Sequence, residues 1–185
     1  HKAGWLLENS ETAYKLTLSG TGEMTAYEEG DYTSNGKTEE RTTAPWKAYA
    51  PNIQTVEIQS GVTKVSSYAF YRCSALTTVQ LPTTGQEIGR FAFGYCVNLT
   101  SINFPEGFTT IDSYAFYNCT CLNGIQLPET LTTIGSYAFV MCAALEEITI
   151  PASVKEIGTC AFSLCKKLQK VVVAEGVQKI DDYAF

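Results

Sequence analysis

From Ile53 onward, apolar and polar positions recur in the same order every 23 residues. An alternating run comes first. Val79 and Leu81, Ile102 and Phe104, Ile125 and Leu127, and Ile148 and Ile150 share one side, with polar residues such as Thr78, Gln80, Ser101 and Asn103 on the other. Period two with one apolar side predicts a short β-strand that buries a single face. Pro82, Pro105, Pro128 and Pro151 follow these runs, and a residue without an N–H ends the ladder. The spacing then changes. Ile134, Ala138, Cys142 and Leu145 lie at i, i+4, i+8 and i+11, which predicts a short helical turn. Ser66, Gly89, Asp112, Gly135, Gly158 and Asp181 stand where it would start, mostly types favoured at a helix N-cap. So short a helix does not hold alone, and stacking of one copy on the next must supply its burial.

The other columns keep the same period. Ala69-Phe70 returns as Ala92-Phe93, Ala115-Phe116, Ala138-Phe139, Ala161-Phe162 and Ala184-Phe185, and Leu76, Leu99, Leu122, Leu145 and Leu168 recur likewise. The expected architecture is an α/β repeat: a curved, right-handed solenoid with one short parallel strand and one helical turn per copy. It is expected over residues 51–185, as five full copies and a truncated sixth. Five strand-to-strand steps of about 4.8 Å give a ledge of roughly 24 Å. One column departs from the rest. Val62, Phe108, Leu131, Val154 and Val177 share it with Gly85, where a neighbour must move inward or a small void remains.

Residues 1–50 lack the period. Gly4-Trp5-Leu6-Leu7 and Lys15-Leu16-Thr17-Leu18 flank a polar turn at Asn9-Ser10-Glu11, which predicts a β-hairpin that caps the solenoid. Trp5 and Trp46 are expected in the core of that cap, where a first repeat needs large apolar cover. Residues 28–41 are polar and read as a loop, either mobile or used to bind a partner or cation. Their acids do not follow the spacing of a calcium-binding loop.

Composition narrows the function. At 45% apolar and 17% charged, the chain is too hydrophobic for intrinsic disorder. Nineteen acids against 13 Lys and Arg give a net charge of −6, and the longest basic cluster is Lys166-Lys167, so nucleic acid is not an expected partner. No apolar stretch reaches the roughly 20 residues of a membrane-spanning helix, so membrane insertion is not expected, and no secretion signal opens the chain. The one histidine is His1, which excludes histidine triads and multi-histidine metal centres. No cofactor is expected. Of seven cysteines, Cys73, Cys96, Cys119, Cys142 and Cys165 form a column of the repeat. Stacked at equivalent positions, their Cβ atoms run parallel, which suits neither a disulfide nor converging thiolates, so they are expected as buried free thiols. Cys121 and Cys160 lie in different columns, two repeats apart.

Ile134-Gly135-Ser136-Tyr137-Ala138-Phe139, followed by Cys142 and Leu145, resembles the BspA-like leucine-rich repeat family, and the likeness covers residues 53–185. The segment from Lys15 to Met24, with Pro45-Trp46, is similar to the region that often precedes such repeats in surface proteins of gut and oral bacteria. The resemblance implies an extracellular or cell-surface protein, often discussed as an adhesin, with no catalytic residues to carry over. The sixth copy breaks off at Phe185, before its Cys-x-x-Leu, and no polar closing turn follows. The expectation is a piece of a longer protein or an end covered by a partner.

Strand positions facing away from the core are the candidate binding residues, because repeat proteins use a concave ledge for partners. One row holds Thr55, Thr78, Ser101, Gly124, Glu147 and Lys170; the other holds Glu57, Gln80, Asn103, Gln126, Thr149 and Val172. Small neutral polar groups suit hydrogen bonding to a host or bacterial surface protein or to a glycan, yet no aromatic or arginine anchor stands among them. Tyr68, Phe91, Tyr114, Tyr137 and Tyr183 form an aromatic column broken by Cys160, read as an inter-repeat ladder rather than a sugar platform. The sequons Asn98-Leu99-Thr100 and Asn118-Cys119-Thr120 overlap core columns and read as coincidences. Three functions follow in order: a non-enzymatic recognition module, a spacer that projects another domain, and an enzyme. The third lacks any grouping of nucleophile, base and orienting residue.

Overall fold

The computed structural model describes residues 4–10, 13–25, 27, 29–34 and 37–185, with strand pairing alone for 29–34 and 37–42. β1 (Gly4–Ser10) and β2 (Ala13–Ser19) form an antiparallel hairpin, in which Leu16 and Leu18 are buried. Of the expected hairpin turn, Glu11 lies outside the described residues. After β3 (Gly22–Glu23), β4 (Glu29–Ser34) and β5 (Lys37–Thr42) pair antiparallel with each other. The polar segment is therefore a two-stranded ribbon rather than an irregular loop; its Glu28, Asn35 and Gly36 lie outside the described residues. An Asn-Gly pair between two runs is a strong hairpin signal, and the segment's polar composition hid it.

From Ile53 the chain winds as a parallel β-solenoid of about five turns with two ledges. The first ledge carries β6 (Ile53–Ile58), β8 (Thr78–Gln80), β10 (Ser101–Asn103), β12 (Gly124–Gln126), β14 (Glu147–Ile150) and β16 (Lys170–Val173). The second carries β7 (Val62–Val65), β9 (Glu87–Ile88), β11 (Thr110–Ile111), β13 (Thr133–Ile134), β15 (Glu156–Ile157) and β17 (Lys179–Ile180). The second ledge is one continuous parallel sheet from β3 to β17. The first is paired in three pieces, β1-β2-β6-β8, β10-β12 and β14-β16.

The helical turn expected in the second limb does not form; among the described residues the helix present is the 3-10 turn Lys47–Asn52. Two features explain this. Tyr114 and Asn118, like their counterparts in the other repeats, have φ near +60°, the left-handed region that a right-handed helix cannot contain. Backbone N–H groups also point to the next repeat, with Phe93 donating to Ala115 O at 2.8 Å and Phe116 to Ala138 O at 2.8 Å. Between them run tight turns, such as Cys119 N to Phe116 O at 3.2 Å. The i, i+4, i+8 stripe is thus produced by a chain of alternating turns, in which every fourth residue also returns to the core.

The core is a set of columns. Phe70, Phe93, Phe116, Phe139 and Phe162 are fully buried and stack ring on ring with centroids 5.1–5.3 Å apart, almost parallel between Phe116 and Phe139 at 1°. Trp46 is buried and stacks on Phe70 at 5.8 Å. Trp5, by contrast, is 44% exposed and meets Trp46 edge-on with centroids 6.3 Å apart. It stands on β1, the outermost strand of its sheet. Threonine explains part of the low charge. The hydroxyls of Thr77, Thr109 and Thr132 donate to backbone carbonyls of Gln54, Gln86 and Thr109 one repeat back.

Candidate functional site

Alternation along the first ledge sends Val56, Val79, Ile102 and Ile148 inward, and their neighbours outward. The outward side chains align by backbone register: Thr55 faces Thr78, Glu57 faces Gln80, Asn103 faces Gln126, Glu147 faces Lys170 and Thr149 faces Val172. Thr78, Gln80, Ser101, Asn103, Gln126 and Thr149 are exposed, as are Glu147 and Lys170, while Thr55 and Glu57 are half-buried. All ten candidate residues therefore lie on the open side of one ledge.

The rows extend further than the repeat period could indicate. β2 pairs in parallel with β6, placing Lys15 beside Thr55 and Thr17 beside Glu57, and β1 adds Glu8 and Leu6 beyond them. Leu6 is 56% exposed. The signal for these positions was the buried pair Leu16 and Leu18 flanking polar Thr17, outside the 23-residue repeat. Two ion pairs stand on this face. Lys15 Nζ meets Glu57 at 2.6 Å, and the carboxylate's hydrogen bond and charge hold the Lys15 ammonium above its ordinary pKa. At the other end Lys170 meets Glu147 at 3.2 Å. Between them lies a neutral stretch of hydroxyls and amides.

The face is not flat. Where β12 and β14 are not hydrogen-bonded to one another, a cleft of about 320 Å³ opens, with Gln126, Glu147 and Thr149 on its rim. Ile125 and Leu127 line it and are only half-buried, whereas Ile102 and Ile148 in the column of Ile125 are buried. A second cleft of about 420 Å³ adjoins at Glu147 and runs past Asn123, Gln169 and Lys170.

The turn side carries the aromatic column. Tyr68 stacks on Phe91 at 5.3 Å, Phe91 on Tyr114 at 4.7 Å and Tyr114 on Tyr137 at 4.8 Å, the expected inter-repeat ladder. A second rank was not foreseen. Tyr71, Tyr95 and Tyr117 pack edge-on or tilted against it and one another, and the guanidinium of Arg90 lies over the rings of Phe91 and Tyr114. These tyrosines fall in two columns that other repeats fill with residues such as Gly94 and Met141, so no single column revealed them.

The cysteine column is buried, as expected, and all seven cysteines are free thiols. The thiols also act as donors. Cys96 Sγ reaches Phe70 O at 3.2 Å, Cys119 reaches Phe93 O at 3.2 Å and Cys165 reaches Phe139 O at 3.2 Å. Burial pushes the Cys73 thiol up to about 12 and that of Cys165 up to about 11, and raises Cys96, Cys119 and Cys142 well above an ordinary thiol. A thiol held protonated is neither nucleophile nor metal ligand. Among the described residues no three His, Cys, Asp or Glu side chains gather as a metal site.

The profile of the BspA type leucine rich repeat region matches six copies over residues 48–168. No curated protein is significantly similar to the chain. Among solved structures, it is similar to a leucine rich repeat protein of T. pallidum, at 26% identity and a TM-score of 0.67, over 92% of this chain and 78% of that one. It is similar to a leucine rich cell surface protein of Faecalibacterium prausnitzii A2-165, at 26% identity and a TM-score of 0.54, over 93% and 53%. A leucine-rich repeat protein of Bacteroides ovatus shares the fold, at 19% identity and a TM-score of 0.56, over 96% and 53%. The chain spans about half the length of the last two.

Proposed function

The chain belongs to the BspA-type leucine-rich repeat family, and from that premise we propose that it is a non-enzymatic recognition module, secreted or held at a bacterial cell surface. It binds a surface protein or a glycan through the concave, open side of its first ledge. One observation carries this reading: the hydroxyls and amides of Thr78, Gln80, Ser101, Asn103 and Gln126 stand exposed between two ion pairs, Lys15–Glu57 and Glu147–Lys170. The similarity to a cell surface protein of Faecalibacterium prausnitzii supports the location. In the same reading the hairpin β1–β2 and Trp46 serve as the cap of the solenoid's first turn.

The test is an array of glycans and surface proteins probed with the chain and with a Gln80→Ala, Asn103→Ala, Gln126→Ala triple variant. Loss of binding in the variant is expected. Equal binding by both removes the open face from the mechanism. No binding by either favours a spacer that projects another domain, a reading supported by relatives about twice this length.

A further inference from the structure

We propose that the cleft between β12 and β14 is a carbohydrate subsite that receives one neutral hexopyranose ring of a glycan, an inference that rests on the recognition reading above. Its size comes first. About 320 Å³ lies at the small end of ligand pockets and suits a single sugar ring, with the rest of a glycan running along the open face. An extended peptide does not fit as an added strand. At this step the two unpaired edges, of β12 and β14, face each other rather than solvent, so neither is the open sheet edge to which a strand is added.

The lining decides the chemistry. A pyranose presents one C–H face and a girdle of hydroxyls. Half-buried Ile125 and Leu127 supply apolar surface, and the Gln126 amide and Thr149 hydroxyl supply both donors and acceptors. Glu129 and Glu147 add carboxylate acceptors for sugar hydroxyls. The same carboxylates exclude uronic and sialic acids, since the neighbouring cation Lys170 is already engaged by Glu147 at 3.2 Å. Burial singles out this step of the ledge. Val79 and Ile102 flank the other lapse, between β8 and β10, and both are buried, so apolar floor is offered between β12 and β14 alone of the two.

The experiment measures binding of neutral oligosaccharides of glucose, galactose and mannose, with hyaluronan fragments as the acidic counterpart, by saturation-transfer NMR and calorimetry. Three proteins are compared: the unaltered chain, a Gln126→Ala, Thr149→Ala variant within the cleft, and a Gln80→Ala, Asn103→Ala variant outside it. All four side chains are exposed, and unchanged unfolding midpoints confirm that the variants fold. The expected result is binding of a neutral sugar, weakened at least tenfold by the cleft variant, at least threefold less by the outer variant, with hyaluronan unbound. A Thr149→Trp variant, which fills the cleft, should also abolish binding. Binding that survives both cleft variants, preference for hyaluronan, or no sugar binding at all overturns the subsite. If sugars fail while capture of a surface protein is lost in the outer variant, the subsite falls and the open-face reading stands. If no variant changes capture of any partner, both fall.

Discussion

The ring of Phe108 occupies the space that a β-carbon on Gly85 would need. Built on the glycine backbone, that carbon falls within the van der Waals envelope of the ring's tip, with Cε1, beside the nearest atom Cζ, 3.0 Å away. Gly85 and Phe108 are equivalent positions of successive repeats, in a column whose other buried members are Val62, Leu131 and Val154. Of the two outcomes expected at Gly85, a neighbour moving inward or a small void, the first is found: Phe108 of the following repeat fills the space.

A large and a small residue that share one volume should be strongly coupled. Gly85→Val overpacks the site and should cost about 1–3 kcal/mol. Phe108→Val opens a cavity and should cost about 3 kcal/mol. Gly85→Val with Phe108→Val restores the column's usual composition, so the pair should cost at least 1 kcal/mol less than the sum of the singles. Urea denaturation of the four proteins measures this, and additive losses would show that the two side chains do not share the space.

The thiol column predicts how stability depends on pH. In an unfolded chain a thiol titrates near 8.5, whereas burial holds Cys73 up to about 12 and Cys165 up to about 11. Above pH 8.5 the unfolded chain therefore binds fewer protons than the native one, and stability falls as pH rises towards the native values. The slope is about 1.4 kcal/mol per pH unit for each thiol. Cys119→Ala should flatten the alkaline limb by one thiol's share. Alkylation at pH 8 offers a second reading: exposed Cys121 should react first, and the column should stay unlabelled until the chain unfolds.

Tyr114 sits at φ 61°, where glycine is the inexpensive residue, yet it stacks on Phe91 at 4.7 Å and Tyr137 at 4.8 Å. Two stacks of about 0.5–1.5 kcal/mol each offset the roughly 1–2 kcal/mol of the left-handed backbone. Removing the ring without relieving the backbone should then be the worse change. Tyr114→Ala is expected to be less stable than Tyr114→Gly by about 1 kcal/mol, the reverse of their order in ordinary strands and helices. Thermal unfolding decides it, and an Ala variant as stable as the Gly variant would show that the turn is unstrained.

What the sequence could and could not convey follows from which contacts repeat. Strand alternation at Ile102 and Phe104, the proline stops and the columns at Phe116 and Cys119 recur every 23 residues, so the solenoid and its open-face rows were legible from spacing alone. The expected helical turn gives way to left-handed corners at Tyr114 and Asn118, because a stripe at i, i+4, i+8 does not distinguish the two. Against the one strand expected per copy there are two, and the second leaves no signal because Thr110–Ile111 is too short to show alternation and is held by its neighbours above and below. The cleft at β12 and β14 comes from a lapse in strand pairing that no residue at Ile125 or Leu127 announces.

The end of the solenoid near Trp46 shows how the first repeat is completed, and yields a last prediction. In every later step an Ala carbonyl accepts the N–H of the Phe one repeat before it, as Ala92 O does from Phe70 at 2.8 Å and Ala161 O from Phe139 at 2.7 Å. Ala69 O has no such repeat before it, and the indole Nε1–H of Trp46 donates to it instead at 2.7 Å. The same indole stacks on Phe70 in place of a preceding Phe ring. Trp46→Phe keeps most of the ring but orphans a buried carbonyl, which should cost about 1–3 kcal/mol. Trp46→Ala loses both roles and should cost about 3–5 kcal/mol. Because each repeat contacts only its neighbours, the loss should be local. Hydrogen exchange should accelerate most at amides of residues 62–76 and progressively less towards residues 154–168. Uniform acceleration along the chain would mean that the solenoid opens as one unit and that Trp46 is not a local closure of its first turn.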